Sequence, residues 1–125
     1  MDSEIFQKIY DALEDFLPVK WSKVIFRADY TEGSYGMKYY AAGDDGKFID
    51  CYSLPNVSST QIIKAFIEIN KVLSPSRTRL PEKDRWSVLT MTINADGSFK
   101  TDFDYTDISE SSMTYMEEWE KKYLQ

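Results

Sequence analysis

The acidic side chains near the end of the chain are the residues whose type and spacing point most directly to chemistry. Between positions 102 and 120 the sequence holds seven acids and no base: Asp102, Asp104, Asp107, Glu110, Glu117, Glu118 and Glu120. Such a segment fits converging ligands for a metal ion, a pair of catalytic carboxylates, a solvated surface, or a binding surface for a basic protein.

The local spacing of these acids argues against the first two interpretations. A metal site needs converging oxygen ligands, and no glycine-bearing loop of ligation spacing surrounds these residues. Paired-carboxylate catalysis needs acids on opposite sides of a pocket, whereas Asp102 and Asp104 follow each other on one strand face. The sequence therefore predicts no metal, no cofactor and no catalytic residue. It leaves open the choice between a solvated surface and an acidic binding surface.

The composition narrows the possible chemistry further. The chain has 125 residues, no histidine and a single cysteine, Cys51. Without histidine it cannot form a Ser-His-Asp triad or a Cys-His pair. One cysteine can form neither an intrachain disulfide nor a cysteine-rich metal site. An enzyme built from this chain would depend on carboxylate or lysine chemistry, and we expect a protein that is not an enzyme.

The charge balance and the first residues indicate where such a protein works. Fifteen basic against 21 acidic residues give a net charge of −6. Nucleic acids bind proteins through lysine and arginine, so we expect no nucleic-acid partner. The first residues carry acids where a signal peptide needs bases, and no apolar run approaches the about 20 residues that span a bilayer. We expect a cytoplasmic protein with no membrane partner.

Two segments have the apolar spacing of long helices. The first covers residues 2–17, with Asp2 or Ser3 as the cap and Pro18 as the stop. The second begins at Ser58 in a capping box with Gln61. We expect this second helix to end at Ser74-Pro75 and a polar, basic linker to fill 74–85.

Alternating apolar residues predict five strands and a final helix. Residues 21–30, 35–41 and 48–52 form a three-stranded antiparallel meander, and 86–94 with 98–105 form a hairpin. The adjacent Tyr39 and Tyr40 must point to opposite sides of their strand, which makes one of them a candidate interface residue. The tail, 108–125, is a loop followed by a helix, in which Thr114 and Glu117 have the spacing of a capping box.

The register of the hairpin follows from its turn. A three-residue loop, Ala95-Asp96-Gly97, pairs Ile93 with Phe99 and Leu89 with Phe103, and gives Gly97 the left-handed conformation that such loops require. We expect Leu89, Phe99 and Phe103 to be buried on one face. The other face then displays polar and mixed side chains, which are Trp86, Val88, Thr90, Thr92, Lys100, Asp102 and Asp104.

The element order is α-β-β-β-α-β-β-α. This order predicts an α+β fold with a mostly antiparallel five-stranded sheet and helices packed on one face. The length suits a single domain over 1–125.

Order and spacing over nearly the whole chain carry a family resemblance. The first helix ends in Leu17-Pro18, and the later landmarks are Trp21-Ser-Lys-Val24, Trp86-Ser-Val-Leu-Thr-Met-Thr-Ile93, Gly97, Phe99-Lys-Thr-Asp-Phe-Asp-Tyr105, Trp119 and Lys122-Tyr-Leu124. This pattern resembles the YezG-like family of immunity proteins. The resemblance implies a cytoplasmic antitoxin that neutralises a nuclease toxin, a DNase or an RNase, delivered between competing bacteria by secretion or by contact-dependent growth inhibition.

The resemblance and the charge pattern together predict a binding site. A nuclease active site is basic because it binds a polyanion, so an acidic inhibitor can approach it quickly and cover it. We expect the C-terminal nuclease domain of the cognate toxin to contact Trp86, Asp102, Asp104, Tyr105, Asp107, Glu110, Glu117 and Glu118. A carboxylate-dependent hydrolase or small-ligand-binding domain, and an oligomeric scaffold with a self-complementary patch, are the alternatives.

Overall fold

The computed structural model describes residues 3–18, 20–55 and 57–124, and its contacts group the chain into two compact units. One unit combines Met1–Val19 with Tyr52–Arg85, and the other combines Lys20–Cys51 with Trp86–Gln125. The first unit contains the two long helices. The second contains the sheet and the C-terminal helix, and it holds every residue of the predicted binding site.

Two helices pack against each other in the first unit. Helix α1 covers Ser3–Leu13 and continues into a 3₁₀ turn over Glu14–Phe16, while α2 covers Ser59–Thr78. Both helices bury the apolar positions that recur at helical spacing: Phe6, Ile9, Leu13, Ile62, Ala65, Phe66, Ile69 and Leu73. The first predicted helix is thus confirmed from Ser3 onward, and the possible cap Asp2 lies outside the described residues.

The start of α2 confirms the predicted cap, but its end differs from the prediction. The backbone N–H of Gln61 donates to the Ser58 hydroxyl at 3.2 Å, as a capping box requires. Pro75 lies inside the helix, in its last turn, instead of ending it, and the helix continues to Thr78. The Arg85 Nη2 then donates to the carbonyls of Thr78 and Leu80, at 3.0 and 2.9 Å. The predicted linker is therefore shorter than 74–85, and part of its basic charge caps a helix.

The second unit is built around one antiparallel sheet. Its strands are β1 (Lys23–Thr31), β2 (Ser34–Ala42), β3 (Phe48–Asp50), β4 (Val88–Asn94) and β5 (Phe99–Asp104). They lie in the order β3-β2-β1-β4-β5, and each neighbouring pair is antiparallel. The predicted α+β class, five-stranded sheet and element order are confirmed.

The β4–β5 hairpin has the predicted register. Ile93 pairs with Phe99, Met91 with Thr101 and Leu89 with Phe103. Gly97 has a φ of 90°, so the three-residue loop has the left-handed residue that it needs. The expected burial holds only for Leu89, since Phe99 and Phe103 are 44% and 37% exposed. Both belong to β5, which has a neighbouring strand on one side alone.

The other face of the hairpin is covered, contrary to the sequence-based expectation. Helix α3, Ser112–Tyr123, packs on this face, and Trp119 forms a buried cluster with Ile25 and Tyr40. Val88 and Thr90 are consequently 1% and 2% exposed. The predicted capping box of α3 is wrong, because the helix already begins at Ser112 and Thr114 lies within its first turn.

Candidate protein-binding site

Two tyrosines of α3 bind the two carboxylates of β5. The hydroxyl of Tyr115 donates to Asp104 Oδ2 at 2.8 Å, and the hydroxyl of Tyr123 donates to Asp102 Oδ2 at 3.0 Å. Both carboxylates point to the same side of the sheet because they are two residues apart in one strand. The two tyrosines are eight residues apart, which returns them to the same face of a helix. The two carboxylates on one strand face therefore lie opposite the two tyrosines on one helix face.

Trp119 lies between these two tyrosines and anchors the helix. Its Nε1 donates to Thr90 Oγ1 at 2.9 Å, and the Arg27 guanidinium lies 4.6 Å from its ring centroid. Arg27 is in turn 3.5 Å from the carboxylate of Asp29. Gly36 makes room for this carboxylate, since a Cβ there would lie 2.9 Å from Asp29 Oδ1. The face beneath α3 is thus a mixed polar and aromatic interface, with Trp119 at its centre.

The net effect of burial and hydrogen bonding is to lower the pKa of Asp104 and to raise the pKa values of Tyr115 and Tyr123. Burial tends to raise the pKa of Asp104, but hydrogen bonds from Thr106 and Tyr115 outweigh it and lower the pKa below its usual value. Burial, followed by the hydrogen bond to Asp102, raises the pKa of Tyr123 to about 12. Burial and the bond to Asp104 raise the pKa of Tyr115 in the same direction. At neutral pH a charged Asp104 therefore accepts from a neutral Tyr115, and Tyr123 is neutral as well, so both hydroxyls can donate.

An open cleft of about 290 Å³ lies beside these contacts. Asp102, Asp104 and Glu118 line it together with Lys122 and the three aromatic residues of α3. Its acids come from one strand and one helix, not from opposing strands. The lowered pKa of Asp104 keeps that carboxyl ionised, which does not suit a general acid near neutral pH.

The loop between β5 and α3 carries more exposed acids. Asp107 Oδ1 accepts hydrogen bonds from the N–H and hydroxyl of Ser109, at 3.0 and 2.7 Å, and these bonds lower its pKa. Ile108 beside it is buried, which fixes the loop on the protein. Tyr105 is 61% exposed and Glu110 is also exposed. The loop therefore presents acids and one aromatic ring from a locally ordered backbone.

The remaining predicted site residues fall in different places. Glu118 lines the cleft with Asp102 and Asp104, whereas Glu117 lines another cavity with Glu120 and Lys121. Trp86 is only 2% exposed and packs against Tyr30 and Phe103, with ring centroids 5.4 and 5.8 Å apart. Its burial removes it from the surface to which sequence reasoning assigned it.

Sequence reasoning missed the residues that organise this region, which are Arg27, Thr90, Tyr115 and Tyr123 acting with Trp119. A signal was present, since Tyr115, Trp119 and Tyr123 recur every four residues and mark one helix face. Their partners could not be found this way, because a hydrogen bond between distant elements leaves no local pattern.

The described residues hold neither a cluster of metal ligands nor a membrane-spanning helix. Within 3–18, 20–55 and 57–124, no three histidine, cysteine or acidic residues are grouped as a metal ion would need. Over those ranges, no helix is long and apolar enough to cross a membrane. The single cysteine, Cys51, is buried.

The fold and this region define the class of the protein: a small acidic α+β protein whose exposed carboxylates follow the last strand. Residues 3–125 match the family described as "Immunity protein YezG-like", and the chain belongs to this family. It is 27% identical over 130 residues to "Immunity protein YezG" of Bacillus subtilis (strain 168), covering 97% of this chain and 86% of that protein. It is 22% identical over 116 residues to "Immunity protein YezG" of Bacillus spizizenii (strain ATCC 23059 / NRRL B-14472 / W23), covering 88% and 72%.

Proposed function

We propose that this protein is a cytoplasmic immunity protein that binds a cognate bacterial toxin and neutralises it. The family match over residues 3–125 supports this function and supports treating 1–125 as one immunity-protein domain. The proposed partner is the C-terminal nuclease domain of the toxin, an RNase or a DNase, whose basic substrate groove the protein covers. No cofactor or catalytic step is required, because stoichiometric binding is enough to block the groove.

The choice of a basic partner rests on the seven acids, without a base, between positions 102 and 120. A partner that binds nucleic acid must present positive charge, and complementary charge accelerates association and favours the correct partner. We assign the contact to the acidic surface, defined here as Asp107, Glu110, Glu117 and Glu118, with Tyr105 as an aromatic anchor.

Asp102 and Asp104 have a different place in this proposal. Their Oδ2 atoms already accept hydrogen bonds from α3, so they act first as supports for that helix. They add negative charge beside the acidic surface, and Glu118 joins them in the cleft. Trp86 is left out of the proposed contact because it is buried.

A hydrolase or small-ligand function fits the geometry less well. The cleft offers volume and carboxylates, but Asp102 and Asp104 project from one strand and each accepts a tyrosine hydroxyl. Glycoside hydrolysis, for example, needs one carboxyl group with a raised pKa to donate a proton. The pKa of Asp104 is lowered instead.

Charge reversal on the acidic surface tests the proposal. The variant Glu110→Lys/Glu117→Lys removes two exposed acids that take no part in the two tyrosine–carboxylate hydrogen bonds, so the fold should persist. We expect its affinity for the toxin nuclease domain to fall at least tenfold, as close charge pairs are worth about 1.5–7 kcal/mol. The remaining affinity should depend less on salt. Isothermal titration at several salt concentrations and protection of cells that express the toxin are the measurements.

The matched control is Glu32→Lys/Asp44→Lys, which changes the net charge equally at exposed turns of the same unit. It should bind and protect nearly as well as the natural protein. Equal loss in both variants would show that only net charge matters. Full protection by the Glu110/Glu117 variant would place the interface elsewhere.

A further inference from the structure

Strand β5 forms one edge of the sheet and is long enough to pair with another strand. The opposite edge, β3, has only three residues, whereas β5 has six and contains neither proline nor glycine. The N–H of Asn94 donates to the carbonyl of Ser98 at 2.8 Å, so the backbone of Ser98 faces β4. Because these directions alternate along a strand, the backbone groups of Thr101 and Phe103 face away from β4.

The side chains of β5 are also accessible, and they differ between its two faces. Phe99 and Phe103 are 44% and 37% exposed on the face that they share with Leu89. On the face beneath α3, the Lys100 and Asp102 side chains are 76% and 34% exposed, with Nζ and Oδ1 3.7 Å apart. The edge thus presents apolar rings on one side and one charge of each sign on the other.

The order of these residues is self-complementary. Residues 99–103 read Phe-Lys-Thr-Asp-Phe, which has the same chemistry in both directions apart from the sign of the charges. We infer that a second copy of this chain binds at this edge, with the two β5 strands antiparallel and their twofold axis at Thr101. This register pairs Phe99 with Phe103 and Lys100 with Asp102, each twice, and sets Thr101 opposite its own equivalent.

The charges of the edge select this register among the alternatives. Antiparallel pairing matches outward-facing residues with one another, and axes at Lys100, Thr101, Asp102 and Phe103 all satisfy this condition. An axis at Lys100 or Asp102 would place a charge opposite its own equivalent. A twofold axis at Phe103 would place Asp102 opposite Asp104, and like charges in direct cross-strand pairs are destabilising. The axis at Thr101 instead places opposite charges and aromatic rings opposite each other, and both kinds of pair are favourable.

This pairing does not depend on the proposed function. It uses residues 99–103, whereas the acidic surface lies in the loop and helix that follow the strand. A dimer could therefore present two acidic surfaces, and loss of the dimer need not abolish binding to a toxin.

A charge exchange tests the inference by sedimentation velocity over a concentration series of the full chain. The natural protein should show a monomer–dimer equilibrium. Lys100→Asp places carboxylates opposite each other at both ends and should weaken the dimer about tenfold or more. Lys100→Asp/Asp102→Lys restores opposite charges and should restore dimerisation. A natural chain that stays monomeric throughout, or a Lys100→Asp variant that dimerises normally, would overturn the inference.

A second variant covers the case in which the exchange disturbs α3, since Asp102 also binds Tyr123. Thr101→Pro removes an N–H that faces away from β4, a position where an edge strand tolerates proline. It should be monomeric with an unchanged circular dichroism spectrum, while the control Thr101→Val should still dimerise. A folded, dimeric Thr101→Pro variant would contradict pairing through β5.

Discussion

The acids at the end of β5 and the acids just beyond it look alike in sequence but have different roles. Asp102 and Asp104 each accept a tyrosine hydroxyl from α3 and are partly buried. Glu110 and Glu117 are exposed, one in the following loop and the other on α3. The first pair holds a helix on the sheet, whereas the second pair remains accessible to a partner.

This difference shows that charge density alone does not identify a binding site. A carboxylate that accepts a tyrosine hydroxyl adds to the negative field of the surface, but replacing it also removes a structural contact. A carboxylate without such a role can be replaced with little effect on the fold. Variants that separate stability from binding therefore provide the sharpest tests of the comparison.

The largest effect on stability should come from Trp119→Ala. Trp119 is 3% exposed, donates to Thr90 and lies beneath the Arg27 guanidinium. Its loss creates a cavity and leaves buried polar groups unpaired, so we expect the free energy of unfolding to fall by about 3–5 kcal/mol. Urea denaturation followed by circular dichroism measures it. Met113→Ala in the same helix, at a side chain 77% exposed, should change the stability by less than about 0.5 kcal/mol.

An intermediate loss of stability should distinguish Asp104, which binds α3, from Glu117, which is exposed. Asp104→Ala removes the acceptor for Tyr115 and for the N–H and hydroxyl of Thr106, so the free energy of unfolding should fall by about 2 kcal/mol. Glu117→Ala should cost less than about 0.5 kcal/mol. A double-mutant cycle with Tyr115→Phe measures the Asp104–Tyr115 coupling. Equal stability losses for Asp104→Ala and Glu117→Ala would remove the distinction between the two groups.

The fold was largely predictable because its signals are local. Alternation marked the strands, Gly97 fixed the hairpin register, and Ser58 with Gln61 marked the start of α2. Pro75 was misinterpreted as a stop, because the helix continues through it to Thr78.

The site was less predictable because it depends on contacts between distant elements. The sequence could not show that α3 covers the face of the sheet that carries Thr90, Asp102 and Asp104. That face was therefore expected to be exposed, and one of Tyr39 and Tyr40 was expected at the surface. Both are in fact buried, at 0% and 6% exposure, and Tyr40 packs against Trp119. Trp86 was misplaced as well, since its ring packs against Tyr30 and Phe103.

The smallest effect should appear at alkaline pH, through the tyrosine that binds Asp102. The pKa of Tyr123 is raised from 10.0 to about 12 in the folded protein. Its contribution to stability is therefore fully present below pH 10 and is lost as the pH rises towards 12, because the unfolded chain releases this proton first. Tyr123→Phe should cost about 1 kcal/mol at neutral pH and should reduce the decline in unfolding free energy between pH 10 and 12. Met113→Ala, at a side chain that is 77% exposed and carries no titratable group, should leave that decline unchanged. Urea denaturation at a series of alkaline pH values compares the two variants, and identical pH profiles would show that Asp102 does not hold α3 through Tyr123.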